Sequence, residues 1–133
     1  MLTIKKTIDN DKNCFYLEFN FFIERKKVNF YLNENAIFFI LENKKEYKTN
    51  SFTLLGILKF LANNFKNKEN VVLRFLAIAI LEYCKEFKLK GIYLLKNLKI
   101  ESYKIDILKR KNVSNNEKEY ILTTFFNETL NKN

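Results

Sequence analysis

Between Asn70 and Lys90 the chain reads NVVLRFLAIAILEYCKEFKLK, a run so apolar that it must be covered on more than one side. A membrane is the first candidate cover. A spanning helix needs about 20 mostly apolar residues, yet Arg74 and Glu82 leave only Phe75 to Leu81 uninterrupted. At 100° per residue, Val72, Leu76, Ala79, Ile80, Tyr83 and Phe87 share one broad face, widened by Leu73, Ala77 and Cys84. Arg74, Glu82 and Lys85 fall opposite, but Val71, Phe75, Ile78 and Leu81 lie on or beside that charged side. A helix apolar nearly all round is central to a fold. The pattern therefore predicts a buried helix over 70–90, with a sheet on one side and another helix on the other.

Upstream, the periodicity changes to two. Phe15, Leu17, Phe19, Phe21 and Ile23 alternate with polar residues, and Val28, Phe30 and Leu32 do the same after a charged reversal at residues 24–27. Ala36 to Glu42 is a third strand, apolar on both faces. A clean stripe of Leu54, Ile57, Leu58, Leu61 and Phe65 marks a helix before the central one, with Asn50 or Ser51 as its N-cap. Residues 91–100 fit a strand or a short helix. Tyr103, Ile105 and Ile107 alternate with Lys104 and Asp106 as a strand would. Ser114 and Glu117 have the spacing of a capping box, opening a last helix that carries Ile121, Leu122, Phe125 and Phe126. The expected architecture is α+β, a single domain over residues 1–133. It has an antiparallel sheet of four to five strands (an N-terminal three-strand meander plus one or two later strands) covered by about three helices. Residues 1–12 and 131–133 are candidate flexible ends.

Composition removes most enzyme chemistry. The chain has no His, so a Ser-His-Asp triad, a Cys-His pair and imidazole acid-base catalysis are all excluded. Two cysteines without His cannot build the usual zinc sets, and both Cys14 and Cys84 read as ordinary buried thiols. With Gly56 and Gly91 the only glycines, neither a P-loop nor a dinucleotide-binding fingerprint can be written. Gly91 is placed to end the central helix in a left-handed conformation. No cofactor is implied. The polar Met1 to Asn13 stretch lacks an export signal, which points to a reducing cytoplasm.

One constellation could carry catalysis. Glu24 and Lys26, with Asp9 and Asp11 upstream, resemble the metal site of restriction-type nucleases, where two carboxylates hold magnesium and a Lys orients water. The pattern is three residues long in a Lys-rich chain, and a solvated turn explains it better. No catalytic residue and no metal ligand is assigned, and a magnesium nuclease stands a distant third among the functions considered.

Charge is the main positive feature. From Lys85 to Lys111 nine basic side chains face three acidic ones, so two thirds of the net +9 lies in about a fifth of the chain. The residues singled out are Lys96, Lys99, Lys104, Lys109, Arg110 and Lys111, with Tyr93 and Tyr103 interleaved as base-stacking candidates. Only three of the 24 basic residues are Arg, which nucleic-acid sites favour for bidentate contacts. The absence of Trp, Pro, His and Gln and the wealth of Lys, Asn, Ile and Phe fit an AT-rich genome, which makes Lys the default cation. The sequence thus supports a small basic non-enzymatic binding protein that engages nucleic acid or a nucleoprotein complex through residues 85–111. The alternative is an inhibitor or adaptor that meets an acidic protein surface, such as a mobile-element-encoded antagonist of a host nuclease or defence complex.

Overall fold

Short connections organise the N-terminal half. A computed structural model describes residues 2–9, 14–23, 26–32, 37–41, 45–49 and 54–132. Strands β1 (Leu2–Asp9), β2 (Cys14–Ile23), β3 (Lys26–Leu32), β4 (Ile37–Leu41) and β5 (Lys45–Thr49) form one antiparallel sheet in chain order. Each strand pairs with its neighbour in sequence, and one row of register positions runs Ile4, Phe19, Phe30, Phe39, Tyr47 across all five. Leu32 is fully buried and joins β3 to the helical core.

The C-terminal half overturns the expected fold class. It holds five helices instead of about three, and no strand lies between residues 54 and 132. These are α1 (Leu54–Asn64), α2 (Glu69–Glu86), α3 (Lys88–Asn97), α4 (Ser102–Lys109) and α5 (Asn115–Asn131). The ambiguous segment at 91–100 is largely α3, and the strand expected around Tyr103 to Ile107 is α4. Burial explains the correction. Ile105 and Leu108 are buried while Tyr103 is 58% exposed, so the buried positions recur every three residues and not every two. Along α3 and its C-cap, Leu94, Leu95 and Leu98 are buried, which is also a helical spacing.

Helix α2 is the hub. Val72, Leu73, Leu76, Ala77, Ala79, Ile80 and Tyr83 are all buried along it. It touches β2 and β3 of the sheet and also α1, α3 and α5. The Tyr83 ring packs 5.2 Å from that of Phe87, at the break between α2 and α3.

The turns show how a chain with two glycines manages its corners. Gly91 does not end α2 and is not left-handed; α2 ends at Glu86 with Phe87 as its C-cap, and Gly91 lies within α3. Among the described residues, the left-handed positions are Asn67, before α2, and Lys99, after α3. Around Lys99 the backbone closes a Schellman motif: Ile100 N–H donates to the Leu95 carbonyl at 3.2 Å, and Lys99 N–H to that of Lys96 at 3.0 Å. Ser114 caps α5 by accepting the Glu117 N–H at 3.2 Å. The N-cap expected at Asn50 or Ser51 lies outside the described residues.

Candidate functional site: a lysine-rimmed groove

The second apolar side of α2 is the sequence feature that leads to the site. Ile78 and Leu81 lie beside the charged stripe of α2, and no element covers them completely; both are half-buried. They open into a groove of about 500 Å³ between α2, α3, the end of α4 and the first turns of α5. Its floor is aliphatic, made by Ile78, Leu81, Ile92, Leu95 and Leu108 with the Cys84 thiol among them. Its rim is basic. Lys85 and Lys88 come from the α2–α3 junction, Lys109 and Lys111 from the end of α4 and the loop after it, and Lys118 from α5. Glu82 and Glu119 also line it, and Glu119 accepts from Arg74 Nε at 3.3 Å, which ties α5 to α2.

Only part of the basic segment converges there. Of the residues singled out from sequence, Lys109 and Lys111 line the groove, and Arg110 is exposed between them. Lys96, Lys99, Tyr93 and Tyr103 are exposed but lie outside the lining. The two tyrosines sit on different helices, α3 and α4. Lys104 is committed elsewhere. Its ammonium bridges Glu101 at 3.3 Å and Glu128 at 3.8 Å, and it stands 5.6 Å from the Phe125 ring centre. Its side chain is only 14% exposed. Partial burial pulls the Lys104 pKa down, but the hydrogen bond to Glu101 and the surrounding carboxylates outweigh this and hold it above the ordinary lysine value. Lys104 therefore fastens α4 to α5.

Lys85 and Lys88 fall within the basic segment 85–111 without being singled out, because they lie in a generally charged stretch, and Lys118 is missed because it lies beyond that segment in the chain. The available signal was the surplus apolarity of α2 at Ile78 and Leu81, which marks where a surface remains to be covered.

The thiol in the groove is not activated. Burial pushes the Cys84 thiol up to about 12, against a smaller downward pull from Lys118, so it stays protonated at neutral pH. No group of three or more His, Cys, Asp or Glu that could hold a metal occurs among the described residues. Of the nuclease-like constellation, Asp9 and Lys26 lie within the described residues. Asp9 pairs with Cys14 and Lys26 with Ile23, at opposite ends of β2. Nine residue steps of strand separate them by about 30 Å. Asp11 and Glu24 lie outside the described residues. No helix among the described residues is long and apolar enough to cross a membrane.

No protein-family model matches the chain, and no curated protein or solved structure is significantly similar to it.

Proposed function

We propose that this is a non-enzymatic binding protein, an inhibitor or adaptor, whose lysine-rimmed groove seats an acidic segment of a partner protein. The observation that supports this reading is the convergence of five lysines from separate segments around an aliphatic floor. A single strand of nucleic acid is held by phosphate contacts and by bases stacked on aromatic rings. The floor of this groove carries no aromatic ring. A protein segment with apolar anchors and flanking carboxylates satisfies both the floor and the rim. Anchors of that kind supply affinity, and the lysines supply steering and orientation.

The nucleic-acid reading draws on Lys109, Arg110 and Lys111 and on the exposed Tyr93 and Tyr103, and one experiment separates the two. Fluorescence anisotropy is measured with labelled single- and double-stranded oligonucleotides and with labelled acidic peptides, across a salt series. The protein-partner reading expects peptide binding that survives moderate salt and falls in Lys88→Glu and Lys111→Glu. Oligonucleotide binding with a log affinity against log salt slope of about −3 to −4, without peptide binding, would overturn it in favour of nucleic acid.

A further inference from the structure

The groove's walls are helices: α2, α3, the end of α4 and the start of α5, with the loop at Lys111 completing the rim. Backbone N–H and C=O groups within such walls are already engaged along their own helices. A partner segment laid in this groove finds no strand edge on which to extend a sheet. Its own backbone must nevertheless be satisfied once it covers Ile78, Leu81 and Ile92, because a buried unpaired amide costs several kcal/mol. A helix meets that requirement internally; an extended strand does not.

The charge comes from separate segments. Lys85 and Lys88 belong to the α2–α3 junction, Lys109 and Lys111 to the end of α4 and the loop after it, and Lys118 to α5, and these five outnumber the two carboxylates of the lining, Glu82 and Glu119. A volume of about 500 Å³ is in the range of pockets that take a few side chains.

Resting on the protein-partner reading above, we infer that the occupant is an acidic amphipathic helix. Apolar anchors at i, i+4 and i+7 enter the floor, and Asp or Glu flanking that stripe meet the lysines of the rim. This is helix-in-groove recognition with the charge on the outside. The first turn of α5, which enters the groove at Asn115, adds the positive end of a helix dipole to the charge of Lys118.

The test uses the intact chain and four labelled probes. The first is a peptide with Leu at i, i+4 and i+7 in a Glu- and Ala-rich background. The second is a scramble of the same composition, the third the patterned peptide with a central Pro, and the fourth polyglutamate. The patterned peptide is expected to bind about tenfold or more tighter than the other three, and to gain helical circular dichroism on binding. A Lys85→Glu, Lys88→Glu double variant should lose about tenfold of that affinity with an unchanged melting curve, since both side chains are exposed. Equal binding of the patterned, scrambled and Pro-interrupted peptides would overturn the helical occupant while leaving an acidic protein partner standing. Failure of all four would overturn both.

Discussion

Gly91 and Cys84 are the point at which α3 lies against α2 backbone to backbone: a Cβ added to Gly91 would stand 2.6 Å from the Cys84 Cα. No side-chain rotation relieves such a contact, because the obstructing atom belongs to the main chain. Gly91→Ala should push α3 away from α2 and destabilise the protein by about 1–3 kcal/mol, read as a lower midpoint in urea. Because Lys88, Ile92 and Leu95 ride on α3, the same variant should weaken partner binding. A Gly91→Ala protein with wild-type stability would show that the two helices are not packed this closely.

The central position of α2 makes its buried face intolerant of charge. Ile80 is fully buried, and Ile80→Asp replaces an apolar contact with an unpaired carboxylate costing several kcal/mol. The expected result is an unfolded chain by circular dichroism. A soluble variant that melts cooperatively near the wild-type temperature would remove α2 from the core.

These two positions also mark what the sequence made legible. Ile80 was readable because α2 spans 18 residues, long enough for a helical period to stand out from any alternative. The alternation at Phe15 to Ile23 was readable for the same reason, and it coincides with β2. Residues 103–107 were not. Over five residues Tyr103, Ile105 and Ile107 fit a period of two, and only tertiary packing shows that Tyr103 faces solvent while Ile105 and Leu108 face the core. Gly91 was misread because a glycine after a helix usually supplies a left-handed stop, whereas here it supplies the absence of a side chain. The groove was half legible: surplus apolar residues on α2 announced an unsatisfied surface, but nothing in the chain order brings Lys118 and Lys85 to one groove.

Lys99 occupies the left-handed position that glycine fills in most Schellman motifs. For a residue with a Cβ this conformation costs about 1–2 kcal/mol. Lys99→Gly should therefore raise stability by up to about 1 kcal/mol, after the larger backbone entropy of glycine in the unfolded chain is subtracted. Differential scanning calorimetry checks the sign; a lower Tm would mean that the Lys99 side chain contributes more than its backbone strain costs.

Lys104 and Lys88 should separate stability from binding. Lys104→Met removes the bridge to Glu101 and Glu128 and should lower Tm modestly, since partly exposed ion pairs contribute about 0–1 kcal/mol. Partner affinity should hold. Lys88→Glu should do the reverse. If Lys104→Met abolished binding with folding intact, the basic surface would have to be redrawn around α4.

Cys84 gives a pH signature. With its pKa pushed up from 9.0 to about 12, its thiolate fraction at pH 8 is about a thousandfold below that of an unperturbed thiol. In a Cys14→Ser background, alkylation by iodoacetamide at pH 8 should be correspondingly slow. The unfolded chain releases this proton first as pH rises. Stability linked to Cys84 is thus complete below pH 9 and falls between about 9 and 12. Cys84→Ala should flatten that alkaline loss relative to its parent. Rapid alkylation at pH 8 would contradict the buried, neutral thiol.

The order of the elements carries a consequence for the chain as it is made. All five strands precede all five helices, and each strand pairs only with its immediate neighbour, so the meander can zip up as it leaves the ribosome. Its cover comes later. Between Thr49 and the end of α2 at Glu86 lie about 37 residues, two to seven seconds of synthesis at about 5–20 residues per second. During that interval a phenylalanine-rich sheet waits without α1 or α2 to lie on it, open at both edge strands. Prompt helix arrival shortens that exposure, so slowing translation across residues 54–86 should lower the yield of folded protein more than the same pause placed after Glu86.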